Sequence, residues 1–332
     1  MNCTQFKGTF PSSDGIHSIS YSVFTPEGEV KGVIQISHGM CEYFGRYADF
    51  AKYLTGLGFA VCGNDHLGHG DSVNDDSELG WFGDEASWEN AVKDLYSLTK
   101  LIKADYPDKP YFLFGHSMGS FLARAYVTRY GKNLDGVIFC GTGGGMDGIP
   151  GLLAFVEMLK KIHGGKYRSK LVDKLAFGMY NSRIEENQCK YDWVSRDTAV
   201  VERYTKDPKC NYIFTLNGFE NLAKVLWYVS SEKWFETYPK TLPTYLIAGS
   251  ADPVGNYGKG VLSVYNRLAA QDCNVELKIY EGARHELVNE LCKDEVYRDA
   301  AEFYLNILGE ELPDKETSTD NYTANIIPEG EE

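Results

Sequence analysis

The chain has 332 residues, 43% of them hydrophobic and 24% charged, which fits one large domain with an insertion or two smaller ones and excludes a peptide-sized disulfide scaffold or a globally disordered chain. Its 33 basic against 47 acidic residues leave a net charge of −14, which opposes approach to the phosphates of nucleic acid and to anionic lipid headgroups, so no nucleic-acid partner is expected.

Taken in chain order, CTQFKGTF (3–10) and HSISYSVFTP (17–26) read as an antiparallel pair joined around Ser12, Ser13, Asp14 and Gly15. The opening MNCTQFKGTFPSSDG lacks the apolar run of a secretory leader, and no later stretch approaches the roughly 20 apolar residues of a membrane span, so a cytoplasmic protein is expected. Five short β-branched or apolar runs then alternate with longer amphipathic ones: VIQIS (33–37), FAVCGND (59–65), PYFLFG (110–115), GVIFCG (136–141) and TYLIAG (244–249). With NVELKIY (274–280) as a last strand, this is the pattern of a mostly parallel eight-stranded sheet with helices on both faces.

Between Glu85 and Tyr106 the spacing of Trp88, Ala91, Val92, Leu95, Leu98 and Ile102 predicts a helix with one buried face. About 100 residues separate GVIFCG from TYLIAG, far more than a simple crossover needs, so residues 146–240 are expected to form an inserted helical cap on a core of residues 1–145 and 241–309. Its clearest helix carries Phe219, Leu222, Ala223, Leu226 and Trp227 on a face expected to pack against the main sheet. A closing helix is expected from Asn289 to Leu308. The stretch 310–332 sets eight acidic residues against Lys315 alone and reads as a solvated tail. The eight cysteines form no C-x-x-C pair, and Cys62 and Cys140 sit in strand-like runs where free thiols pack as small hydrophobes.

The chemistry begins at Gly115-His116-Ser117-Met118-Gly119, a G-x-S-x-G pentapeptide between a strand and a helical pattern. Such a turn forces the serine into a strained conformation above the sheet, over a helix N-terminus that favours developing negative charge. A serine nucleophile needs a base, and the base needs an acid to fix its tautomer. His285, after the last strand, and Asp252, after the one before it, lie at the same carboxyl edge and complete the order Ser, Asp, His. Asp147, after GVIFCG, is the alternative acid. The backbone N–H of Met118 and that of Met40, in the loop after VIQIS, are the expected oxyanion donors, with His38 organising that loop. The H-x-x-H of His66 and His69 lies on a Gly-rich loop with no third ligand in sequence reach, so it reads as a structural turn; no metal or cofactor is called for.

These motifs resemble the α/β-hydrolase superfamily, in particular its monoacylglycerol lipase and lysophospholipase branch. The resemblance is carried by HGMCEYFGRY (38–47), NDHLGHGDS (64–72), FLFGHSMGS (112–120) and IAGSADPVG with KIYEGARHE, and DWVSRD (192–197) is similar to a cap motif of bacterial members. It implies an α/β-hydrolase fold and hydrolysis of a small lipid-like ester through an acyl-enzyme, with the acyl chain under the cap and at most transient contact of the cap with a membrane surface. Glu42 and Arg46, matching H-G-x-x-E-x-x-x-R, would then line the head-group pocket, or else anchor the loop as an ion pair. The chain departs from the family pattern at Tyr43, Ser120, Val288 and Gly255, where members carry His, Gly, His and Cys, and in its longer cap. A peptidase or amidase, a short-chain carboxylesterase and a catalytically silent binding protein remain as alternatives on the same scaffold.

Overall fold

The structure is a computed structural model that describes residues 3–83, 88–145, 148–185 and 187–313. Its strands are β1 Cys3–Pro11, β2 Ser18–Pro26, β3 Gly32–Ser37, β4 Phe59–Asn64, β5 Tyr111–His116, β6 Gly136–Cys140, β7 Thr244–Gly249 and β8 Val275–Tyr280. The helices that flank the sheet are α1 Ala48–Gly56, α2 Trp88–Asp105, α3 Met118–Tyr130, α9 Lys259–Ala269 and α10 Lys293–Leu308. Five more lie between β6 and β7: α4 Ile149–His163, α5 Lys170–Phe177, α6 Thr198–Lys206, α7 Leu216–Ser230 and α8 Glu232–Glu236.

One sheet forms in the order β1-β2-β4-β3-β5-β6-β7-β8. The β1–β2 and β2–β4 pairs are antiparallel and every later pair is parallel, the mostly parallel arrangement expected from the alternation of strands and helices and the one that the resemblance to the α/β-hydrolases implies. A central strand covered on both faces is dominated by apolar residues, and β5 is buried throughout, with the polar His116 at its carboxyl end. Its side chains alternate: Tyr111 and Leu113 join the core beneath α2, α3 and α7, while Phe112 and Phe114 join the core beneath α1 and α10. Because β3, β5, β6, β7 and β8 run the same way, their carboxyl ends share one edge, with Ser37 beside Gly115, His116 beside Cys140 and Gly249 beside Tyr280.

The closing helix starts at Lys293 rather than near Asn289. The segment before it follows other partners: Leu287–Asn289 make one 3₁₀ turn, and the Glu290 carboxylate is drawn to Arg196. Helix α7 packs against α3, α2 and α4 through Leu216, Phe219, Ala223, Leu226 and Val229. Trp227, expected on that face, is 51% exposed, one position past the stripe. Residues 84–87, Asp147, Glu186 and the stretch 314–332 lie outside the described residues. Among the described residues no helix is long and apolar enough to cross a membrane.

One of the tight contacts in this frame is between the start of α3 and the end of β3. A Cβ on Gly119 would lie 2.1 Å from Ser37 O and 2.3 Å from His38 O, both backbone atoms that cannot turn aside. Gly119→Ala is therefore expected to lower stability by about 1–3 kcal/mol or more, read as a lower urea midpoint with an unchanged m-value.

Candidate active site

Ser117 ends β5 and precedes α3 with φ 53° and ψ −124°, a conformation that costs a non-glycine residue energy and that the surroundings must hold in place. They do so through backbone bonds: Ser117 N–H donates to Cys140 O at 3.0 Å, and Ser117 O accepts from the Ser120 N–H at 2.8 Å and hydroxyl at 2.6 Å. The residue that replaces the family's glycine thus ties the turn from inside. Gly115 is needed because a Cβ there would meet Ala123 Cβ and Gly119 O at 2.7 Å. The Ser117 hydroxyl, half-buried, hydrogen-bonds no described group.

Asp252, past β7, and His285, past β8, are both buried, and His285 Nδ1 lies 3.0 Å from Asp252 Oδ2. The other carboxylate oxygen accepts the Val254 N–H at 2.9 Å. An ionised carboxylate only accepts, so Nδ1 carries the proton and the Nε2 lone pair is left free. Gly141, at φ +58°, backs the imidazole so closely that a Cβ there would lie 3.1 Å from its Cε1. His116 joins this pair to the serine turn: its ring meets His285 at 4.7 Å between centroids.

The loop after β3 comes over the serine, with the position of a Gly39 Cβ 3.0 Å from Ser117 Cβ. No described group accepts the Met40 or Met118 N–H, so both amides are free to serve an anion at this point. His38 Nδ1 donates to Gly39 O at 2.8 Å while its Nε2 accepts the His66 N–H at 2.8 Å, which fixes one neutral tautomer, and burial lowers its pKa. Behind it His66 bonds Ser37 Oγ at 3.1 Å and His69 bonds Leu67 O at 3.1 Å, and burial pushes His69 down to about 3. Among the described residues no group of three or more His, Cys, Asp or Glu is placed to hold a metal ion. Cys41, also on this loop, is a buried free thiol that burial pushes up.

Beside this loop Glu42 is buried and Arg46 half-buried. Glu42 accepts from the Gly39 N–H, from Tyr47 OH at 2.8 Å, from His116 Nδ1 at 3.0 Å and from Arg46 at 3.3 Å. Arg46 in turn holds Glu286 through two bonds of 2.5 and 2.6 Å. His116 Nε2 faces His285 O at 3.3 Å, so both of its nitrogens face acceptors and the ring is an imidazolium. Burial opposes each charge, but the His116 hydrogen bond and charge together with Arg46 hold the Glu42 carboxyl well below its usual range, and Glu42 holds His116 above its own. Sequence reading missed His116 and Glu286. Their only signal was adjacency to Ser117 and His285, and nothing in that spacing reveals a shared ion network.

Glu42 ionises more readily in the folded than in the unfolded chain, so its contribution is complete above the unfolded value of 4.5 and is lost as pH falls below it. Glu42→Gln is expected to cost about 3–5 kcal/mol at pH 7 and distinctly less at pH 4, measured by urea unfolding at both.

Comparison with known proteins places this geometry. The family profile described as serine aminopeptidase, S33, matches residues 28–292. Monoglyceride lipase of Homo sapiens is 30% identical over 277 residues, 80% of this chain and 79% of that protein. Monoacylglycerol lipase of Mycolicibacterium smegmatis is 28% identical over 87% of this chain and 93% of its own. A highly thermostable carboxyl esterase from Bacillus coagulans, solved in complex with glycerol, superimposes with a TM-score of 0.87 at 32% identity, covering 92% of this chain and all of that one. With a matched profile over most of its length and the fold those relatives share, the chain belongs to the serine aminopeptidase S33 family of α/β-hydrolases and is similar to the monoglyceride lipases.

Proposed function

We propose that this serine hydrolase cleaves carboxylic esters of fatty acids, of the monoacylglycerol or lysophospholipid type, with Ser117, Asp252 and His285 as its triad. The observation that carries the reading is the 3.0 Å bond between Asp252 and His285 at the sheet edge that also bears the strained Ser117 turn. His285 Nε2 takes the Ser117 proton as Oγ attacks the ester carbonyl carbon, and the oxyanion settles against the amides of Met40 and Met118. The imidazolium returns its proton to the departing alkoxide. Water, activated by the same imidazole, then releases the fatty acid. Glu42 and Arg46 act through the loop that presents Met40, since their charges are already taken by protein partners.

Residues 146–240 serve as the cap that receives the acyl chain. Its apolar surface is made by Met158 and Ile162 on α4 and Leu171 and Leu175 on α5, each 48–66% exposed. On the same helix as Met158 and Ile162, Leu152, Leu153 and Phe155 are half-buried and Val156 is completely buried. This exposed apolar surface supports transient contact with lipid by a cytoplasmic protein. Two neighbouring readings draw on the relatives: hydrolysis of short-chain esters, from the carboxyl esterase, and of aminoacyl amides, from the family description, with Glu185 of the cap as the group to hold a substrate amine.

Fatty-acid release from a long-chain monoacylglycerol is the decisive assay. Ser117→Ala and His285→Ala are expected to lower kcat by several orders of magnitude without unfolding the protein, and Asp252→Asn by about 10³- to 10⁴-fold. A near-normal rate in Asp252→Asn would move the acid to Asp147. Matched ester and amide substrates are expected to favour the ester, and the reverse preference would make the enzyme an amidase.

A further inference from the structure

Trp193 belongs to no strand of the core, yet its indole meets the His285 imidazole at 5.1 Å between centroids and 44° between planes. Backbone holds the two together: His285 N–H donates to Trp193 O at 3.4 Å and Glu286 N–H to Val194 O at 2.8 Å. The Arg284 guanidinium donates to the carbonyls of Asp192 at 2.7 Å and Ser195 at 2.9 Å. Arg196 donates from its amide at 2.8 Å and from Nε at 3.0 Å to Glu290. The Trp193 backbone N–H donates to Asn181 Oδ1 at 2.9 Å, and Tyr180 packs edge-on against the indole at 5.0 Å. The backbone of the strap 192–196 is thereby sewn to the loop 284–290, which keeps the base of the indole beside the imidazole.

We propose that Trp193 is a positioning residue for His285: its indole holds the imidazole in the orientation that offers Nε2 to Ser117 and stabilises the imidazolium formed on proton transfer. This rests on the assignment of His285 as the base. The proton passes from Ser117 Oγ to His285 Nε2 as the Oγ–carbon bond forms, and from Nε2 to the leaving alkoxide as the ester bond breaks; Trp193 exchanges no atom or electron. The other charged or titratable groups around His285 are Asp252 at Nδ1, the His116 ring, the adjacent Glu286 and Arg284, and Glu42 and Arg46 beyond His116. Asp252 supplies the larger part of the stabilisation. The face of an indole attracts a cation more than a neutral ring, so its contribution grows as His285 is protonated and acts on the transition state more than on bound substrate.

The test uses the full chain with a soluble short-chain p-nitrophenyl ester, comparing wild type with Trp193→Phe, Trp193→Leu and Ser117→Ala. Trp193→Leu is expected to lower kcat by about 3- to 30-fold with KM within about twofold, and Trp193→Phe to recover most of the loss. A wild-type kcat in Trp193→Leu, a change confined to KM, or equal losses in both variants would each overturn the proposal. Should Trp193→Leu not fold, the spectroscopic arm decides. The emission that wild type has and Trp193→Phe lacks is expected to be quenched on acidification, and to lose that response in His285→Gln; an unaltered response there overturns the proposal. Absence of Ser117-dependent hydrolysis in the wild type would instead sink the catalytic assignment, with the His285-dependent quenching left in place.

Discussion

A carboxylate taken out of water must be surrounded by donors, and Glu42, 2% exposed, is the buried charge on which both halves of the site depend. One oxygen gathers the Gly39 amide, the Tyr47 hydroxyl and the His116 imidazolium, and the other meets Arg46. Gly39 leads into the loop that carries Met40, His116 precedes Ser117, and Arg46 carries the bond on to Glu286 beside His285. A single carboxylate therefore fixes the loop after β3, the Ser117 turn and the His285 loop relative to one another. Charges of both signs alternate through it, which offsets the desolvation that any one of them would suffer alone.

The mostly parallel sheet supplies the second constraint. Its central strands are buried on both faces, so they hold a fixed register, and their carboxyl ends form a rigid platform for loops that need no core of their own. Strain is concentrated where that platform meets helix α3, at the φ 53° of Ser117. The close approach of Gly119 to the end of β3 and the Ser120 hydroxyl beneath the turn keep it there. The segment from Asp192 to Arg196 adds a second clamp, binding the region between β6 and β7 to the histidine loop through backbone bonds rather than side-chain packing alone.

Much of this was legible in the sequence, for reasons that differ from element to element. The central strands declared themselves because a strand buried on both faces is dominated by apolar residues, and the G-x-S-x-G turn because its glycines stand where strand and helix converge. The order of Ser117, Asp252 and His285 along the chain followed from the parallel arrangement, which puts successive strand ends on one edge. Helices α1, α5, α6 and α9 passed unnoticed because short amphipathic segments carry too few apolar positions to fix a period. The closing helix was drawn four residues too long because Glu290 reads as an ordinary helix former until Arg196 is seen beside it.

Local chemistry thus determined the fold class and the strained Ser117 turn, since each is set by residues within a few positions of one another or by the repeat of apolar runs. The tertiary structure alone decided that Glu42 and Arg46 are bound into an ion network rather than left open to solvent. It also decided that His116 bridges Glu42 to the His285 carbonyl, and that Trp193 rests against the imidazole. Those contacts join residues 74, 169 and 92 positions apart, and a separation of that length carries no periodicity or propensity by which a sequence can announce it.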